Sequence, residues 1–370
     1  MTRKNLGYLI QSLTGFVFVL LLAEGAVRIF SPQDLETYSP WYVSHPIYRL
    51  KHRSNLNKRK RWRDYYNLRT NSRGIRSDEE IPYKNPGQFR IIIHGDSIVF
   101  GNGVENSQTF AKVLESDLKL KGVSNTQVIN MGVSAHGPDT EYLYYQEEGK
   151  RYSPQVGIIT VYTGNDLDDL YRPQVGFYLK DNQLVFKPYR DVLKRLTENG
   201  LYLWLGDHSH LLIFTRKLLF DQNPFIRMSP QPRTQDSLNQ GFALMKEIYL
   251  KFAENMKKSG TSPVFLIIPT KDVLERRLGK TLFQKRDPMV EPNSNLVYQF
   301  ILDLCSKNQL NCLDTTPLFT EEVRKLTKYY IENDSHFSAL GHQVIGKGLS
   351  QYLYPQMIAS EKRELTTRKK

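Results

Sequence analysis

Five short runs of almost purely apolar residues constrain this 370-residue chain more than any other feature of its sequence. They are Phe89–His94, Val128–Met131, Val156–Tyr162, Val264–Ile268 and Leu310–Leu313. A strand with one wet face alternates apolar and polar residues; these do not, so each is expected to be covered on both sides. Amphipathic stretches separate them. One carries Phe110, Val113, Leu114 and Leu118; a second carries Leu238, Phe242, Met245, Tyr249, Phe252 and Met256 at helical spacing; a closing one carries Leu340, Val344, Ile345 and Leu349. Strands alternating with helices imply right-handed crossovers. The expected fold is therefore α/β, a three-layer α/β/α sandwich around a five-stranded parallel sheet, with its chemistry at the carboxyl ends of the strands.

Outside that body, 19 residues between Lys4 and Glu24 carry no charge, and Phe16–Ala23 is a solid apolar block. At about 1.5 Å per residue this is enough to cross a hydrocarbon core as a transmembrane helix. Arg3 and Lys4 mark the amino-terminal side as the inner one, which puts the rest of the chain outside the cytoplasm. Ala23-Glu24-Gly25 loosely imitates a signal-peptidase site, but its central charge weakens that reading. The expected organisation is an anchor over 1–30, an extended basic lead-in over 31–88, the α/β domain over 89–356 and a basic tail over 357–370. An insertion over 171–235, with a hairpin at 177–186, is too long for an ordinary loop. It is either a packing accessory or a cap over a substrate.

The net charge of +13 suggests a nucleic-acid binder until it is located along the chain. Arg49–Arg63 holds eight Lys/Arg and no acid, the last ten residues net +3, and the first 48 sum to zero, leaving +2 for the 297 residues from Asp64 to Ser360. A duplex binder spreads its bases over a folded face. No nucleic-acid partner is therefore expected, and the basic stretch reads as solvated surface or as a site for an anionic membrane or polymer. The two cysteines, Cys305 and Cys312, are too few for a disulfide-stapled mini-fold or a zinc ribbon. They flank a helix-to-strand turn, where either a disulfide or two buried thiols would fit.

The first strand runs into His94-Gly95-Asp96-Ser97, which places a serine at the mouth of the sheet near backbone N–H groups. Serine is inert without a base. A candidate lies far along the chain in Asn333-Asp334-Ser335-His336, where Asp334 could fix the tautomer of His336. The second and third strands run into Asn130-Met131-Gly132 and Thr163-Gly164-Asn165-Asp166. The N–H groups of Ser97 and Gly132 and the Asn165 amide could together polarise a carbonyl. Asp96 reads as a structural acceptor, Asp166, Asp168 and Asp169 as helix-start charges rather than calcium ligands, and Asp207-His208-Ser209-His210 as a weak metal candidate.

With these four blocks in order, GDSIVFG at 95–101, NMGVSAHG at 130–137, TGND at 163–166 and NDSHFSALGH at 333–342, the sequence resembles the SGNH, or GDSL-type, hydrolases. The anchor, TNSRGIRSDEE at 70–80 and FYLKDNQLVF at 177–186 resemble the membrane-anchored bacterial branch of that family. The resemblance implies a flavodoxin-like sheet, a Ser97, Asp334, His336 triad, an oxyanion hole from Ser97, Gly132 and Asn165, and no metal or cofactor. It further implies a single-pass protein of the bacterial inner membrane with a periplasmic catalytic domain. One departure stands out: many members carry the acid three residues before the histidine, and here that position is Asn333.

The activity so implied is hydrolysis of an acyl ester, acetyl among the candidates, on a cell-surface carbohydrate or lipid-like substrate, through an acyl-enzyme. Acyl transfer to a glycan hydroxyl would use the same residues. A non-catalytic glycan-binding or scaffold protein on the same fold is the third reading, disfavoured by the intact Ser97, Gly132, Asn165 and His336.

Overall fold

The computed structural model describes residues 3–171, 176–181, 183–187, 199–221, 234–281, 293–320 and 323–367. The chain forms two compact units, one from 1–43 with 191–231 and the other from 44–190 with 232–370. Much of the predicted insertion lies outside the described residues.

In the first unit, a single helix runs from Arg3 to Phe30, long and apolar enough to cross a membrane, and its apolar window is wholly exposed. Two shorter helices, Gly200–His208 and His210–Arg216, belong to the same unit. Glu24 joins them to the long helix. Its carboxylate accepts from Ser209 Oγ at 2.7 Å, His210 N at 2.9 Å and Leu211 N at 2.8 Å, satisfying amides at a helix start that has no backbone partner for them. His208 Nδ1 lies 2.8 Å from the Trp204 carbonyl, and His210 Nδ1 accepts from Gln33 N at 2.8 Å. Both imidazoles of the weak metal candidate are thus engaged by backbone.

Inside the predicted lead-in the second unit holds an antiparallel hairpin, β1 (Asn57–Arg61) and β2 (Tyr65–Arg69). There follow β3 (Phe89–Gly95), α1 (Ser97–Phe100), α2 (Phe110–Leu120), β4 (Thr126–Gly132), α3 (Pro138–Glu147), β5 (Val156–Tyr162) and α4 (Asp166–Asp169). The hairpin expected at 177–186 is present as β6 (Phe177–Lys180) and β7 (Gln183–Phe186). Then come α5 (Gln235–Lys258), β8 (Ser262–Ile268), α6 (Lys271–Leu278), α7 (Ser294–Lys307), β9 (Cys312–Asp314) and α8 (Ala339–Thr367). The last helix continues well past the predicted 340–349, through Pro355 and into the basic tail.

All five strands of the main sheet are parallel, in the order β9-β8-β5-β3-β4. Side chains on a strand point alternately to its two faces. Ile92, Ile129, Ile159, Phe265 and Ile267 meet α3, α5 and α7 through Tyr145, Phe252 and Ile301. Ile91, Ile93, Ile158, Leu266 and Ile268 meet α2 and α8 on the other side through Phe110, Leu114 and Ile345. Full burial of each such side chain contributes roughly 1.5–3 kcal/mol. This double covering is why the strands read as unbroken apolar runs. The chain order reverses between β3 and β5, so a crevice opens beyond their carboxyl ends.

Cys305, in α7, and Cys312, at the start of the edge strand β9, are joined in a disulfide. The lead-in is more than a surface cover. Tyr66, Leu68 and Ile75 are buried, and the fully buried Arg76 donates to the carbonyls of Phe100 at 2.7 Å, Gly101 at 2.5 Å and Val104, and to Asn106 Oδ1 at 2.8 Å.

Candidate active site

The turn after β3 is built by Gly95 and Asp96. A Cβ on Gly95 would lie 2.1 Å from Val99 Cγ2, so only glycine lets the chain double back this closely. Asp96 Oδ1 accepts from Ile98 N at 2.8 Å and caps α1, leaving Ser97 on the first helical position at the mouth of the crevice. Burial raises the Asp96 carboxyl above its ordinary value, against the pull of the Ile98 amide.

His336 reaches this point from the opposite end of the chain. Its Nε2 lies 2.9 Å from Ser97 Oγ and its Nδ1 lies 2.6 Å from Asp334 Oδ1. The loop that carries it closes tightly, with Ile331 N donating to the His336 carbonyl at 2.9 Å and His336 N donating to Asp334 Oδ1 at 2.7 Å. Phe337, fully buried and stacked 5.2 Å from Phe319, pins the loop to the core. Asn333 sits at φ 57°, the left-handed region that asparagine tolerates, and so serves as the turn residue that brings Asp334 beneath the ring.

Burial alone would push the Asp334 carboxyl up. The bonds from the His336 ring and amide, and from the Trp62 indole, outweigh that and hold it down to about 2. Trp62 Nε1 donates to Asp334 Oδ2 at 2.7 Å, and its ring meets the His336 ring edge-on at 4.9 Å. Lys271 Nζ donates to the Asp334 carbonyl at 2.6 Å. Trp62 was not legible as a site residue, because nothing in the lead-in's spacing ties residue 62 to residue 334.

The predicted oxyanion donors divide. Asn165 follows β5, and its Nδ2 lies 3.2 Å from both Asp96 Oδ2 and Asp169 Oδ2, while its buried Oδ1 has no hydrogen-bond partner among the described residues. Ser97 N is at the start of α1, where helix amides point outward unpaired. Gly132 departs from expectation. Its N–H donates to Asn130 Oδ1 at 3.0 Å, so it is not open to a substrate oxygen in this geometry. Glycine is needed there for packing instead, since a Cβ would lie 2.2 Å from Phe100 N. Beyond it, Ala135 takes up φ 66° in the loop leaving β4.

A layer of carboxyls lies behind Asn165. Asp166 stands at the helix start where it was expected, and there, buried, it accepts from Tyr162 N at 3.0 Å and Tyr249 OH at 2.8 Å. Both Glu141 oxygens are buried with no hydrogen-bond partner among the described residues. Burial, with Asp166, Asp96 and Asp169 nearby, pushes Glu141 well above the ordinary carboxylate range, and burial with the Asp96 charge does the same to Asp166. In the sequence Glu141 reads as a first-turn acid on α3, and nothing marks it as buried.

No protein-family model matches the sequence, and no curated protein matches it. Solved structures do. The chain is similar to a lipase/acylhydrolase from Enterococcus faecalis at 12% identity and a TM-score of 0.43, over 73% of this chain and 97% of that one. It is similar to the acetyl xylan esterase AlAXEase at 12% identity and a TM-score of 0.41, over 72% of this chain and 100% of that one. A catalytic mutant of an acetylxylan esterase from Geobacillus stearothermophilus gives 12% identity and a TM-score of 0.41, over 73% and 95% of the two chains.

Proposed function

We propose that this protein is a serine-dependent carboxylic ester hydrolase. The observation that carries the reading is the relay from Ser97 Oγ through His336 Nε2 and Nδ1 to Asp334 Oδ1, with steps of 2.9 and 2.6 Å. Ser97 Oγ bonds to the ester carbonyl carbon while its proton passes to His336 Nε2. Asp334 holds the Nδ1–H tautomer and stabilises the imidazolium that forms. The tetrahedral oxyanion takes the Ser97 N–H and one Asn165 Nδ2–H, released from the Asp96 or Asp169 carboxylate. The C–O bond to the leaving alcohol then breaks, and that alcohol receives the His336 proton. Water, deprotonated by the same imidazole, resolves the acyl-enzyme and regenerates Ser97.

The N-terminal helix supports a single-pass anchor that is retained. Signal-peptidase cleavage after Gly25 would remove Glu24, whose carboxylate satisfies the start of the helix at His210. The Cys305–Cys312 disulfide supports an oxidising compartment, and with it a periplasmic body. The substrate class that fits such a placement is an acyl ester of a cell-surface carbohydrate.

Fluorophosphonate labelling of the full-length chain tests the chemistry. The parent is expected to be labelled, and Ser97→Ala and His336→Ala to resist. Equal labelling of all three would refute the hydrolase assignment.

A further inference from the structure

The hairpin of β1 and β2 carries charge that the mechanism leaves unused. Asn57, Arg59, Arg61, Tyr65, Asn67 and Arg69 all lie on its exposed face, while Lys60, Tyr66 and Leu68 are buried beneath. Two of the outward cations in this region have acidic partners. Arg69 pairs with Asp78 at 3.4 Å, and Arg63, in the turn, pairs with Glu332. Arg59 and Arg61 instead lie over the Tyr65 ring, with guanidinium carbons 4.2 and 5.7 Å from its centroid. Stacking on an aromatic face leaves the N–H fork of a guanidinium free for a planar, bidentate anion. Arg59 and Arg61 are two residues apart on one strand face, about 7 Å along β1.

The turn of this hairpin reaches the candidate active site. The residue after Arg61 is Trp62, whose indole touches both the acid and the imidazole of the triad. Trp62 is 37% exposed and Tyr65 45% exposed, so two aromatic rings and two guanidinium groups stand on the hairpin whose turn touches the Asp334 and His336 side chains. The 297 residues from Asp64 to Ser360 carry a net charge of only +2. The cationic field is therefore concentrated here, and a concentrated field raises the local concentration of an oppositely charged substrate.

We propose that Arg59 and Arg61, with Tyr65 and Trp62, form a subsite that holds a polyanionic glycan while one of its acyl esters is presented to Ser97. The inference rests on the ester-hydrolase reading and names the substrate class for that site. A chain with regularly spaced carboxylates or phosphates satisfies the paired guanidinium groups, and its sugar rings cover the exposed aromatic faces. A membrane surface fits less well. It would engage a broad cationic plane, whereas here the neighbouring Arg63 and Arg69 are already neutralised.

The test uses the full-length chain in a nonionic detergent, with acetylated polygalacturonate, acetylated xylan and p-nitrophenyl acetate as substrates. In kcat/KM the parent is expected to favour the anionic over the neutral polymer by about tenfold, with the preference shrinking toward unity near 0.3 M salt as charge is screened. In Arg59→Gln/Arg61→Gln, which keeps long stems over Tyr65, the ratio between the two polymers should collapse. Ser97→Ala, which cannot turn over, should bind unacetylated polygalacturonate and lose that binding when both arginines are also replaced. Equal kcat/KM on the two polymers, or a preference that survives the double substitution, overturns the proposal. So does dependence on Arg59 and Arg61 for docking to phosphatidylglycerol vesicles but not for the polymer. Arginine-dependent binding by Ser97→Ala beside a parent that cleaves no ester would preserve the subsite and defeat the hydrolase reading. Cleavage of p-nitrophenyl acetate without any polymer preference would do the reverse.

Discussion

Trp62 Nε1 donates to Asp334 Oδ2 at 2.7 Å, while the other oxygen of the same carboxylate receives the His336 ring and amide. The acid of the proposed triad is thus held on both oxygens, one by its own loop and one by a residue 272 positions upstream. Trp62→Phe retains an aromatic ring against His336 and deletes only the donor. A hydrogen bond to a charged group contributes about 1.5–3 kcal/mol. The substitution is expected to lower kcat on p-nitrophenyl acetate roughly tenfold with KM nearly constant. Parental kinetics in Trp62→Phe would show that the indole N–H does not help to set the acid.

Asn165→Ala removes the side-chain donor assigned to the oxyanion. Loss of one such donor costs about 2.7–4 kcal/mol of transition-state stabilisation. Steady-state kinetics should show kcat reduced on the order of 10²–10³-fold with little change in KM. A change confined to KM would mean that the amide binds the ground state and does not aid chemistry.

Glu141→Gln is expected to stabilise the protein. A carboxyl whose folded pKa is raised contributes stability below its unfolded value and loses it as pH rises toward the folded one. At pH 8 the parent therefore bears the cost of keeping this carboxyl buried, whether protonated or ionised, and the amide does not. Thermal melts should place the variant about 2 °C or more above the parent at pH 8, with the gap closing toward pH 5. A lower Tm at pH 8 would contradict this account.

Three buried imidazoles set the acid limit. Burial pushes His94, His136 and His342 down to about 3. A histidine held neutral in the fold stabilises it above its unfolded pKa of about 6.5 and loses that contribution as pH falls from there toward the folded value. Unfolding between pH 6 and 4 should take up protons, each adding about 1.4 kcal/mol of lost stability per pH unit. His94→Gln should reduce the uptake by up to one proton in denaturant titrations across this window. An unchanged slope would mean that the ring is already protonated in the fold.

The disulfide closes a loop of seven residues' separation. Cross-linking so short a loop restricts the unfolded chain by about 2–3 kcal/mol on the entropy scale. Reductant, or Cys305→Ser with Cys312→Ser, should lower the midpoint of urea unfolding without changing the m-value. An unchanged midpoint would show that the bond adds nothing to the packing of α7 on β9.

The sheet was legible because Ile91 to Ile93 and Val264 to Ile268 are buried on both faces, and that burial is written as unbroken apolar runs. Ser97 and Asn165 could be placed at the mouth of the crevice because turns at strand ends have local signatures, and His336 with Asp334 because they stand just before the closing helix. The bond from Gly132 N to Asn130 Oδ1 could not be read, because a glycine at a strand end looks the same whether its N–H faces solvent or a side chain. Trp62, Arg76 and Glu141 were invisible for a different reason. The groups they lie against are tens to hundreds of residues away, and tertiary proximity leaves no mark in local periodicity.

The buried guanidinium of Arg76 ties the turn after Ser97 to polypeptide synthesised before any strand of the main sheet. Trimming the gene at residue 89, where the main sheet begins, would keep every strand of that sheet yet strip the turn after Ser97 and the Asp334 carboxylate of their outer supports. Such a fragment should give a native-like far-ultraviolet spectrum and little turnover, so secondary structure would be a misleading criterion of success for anyone expressing this protein in pieces.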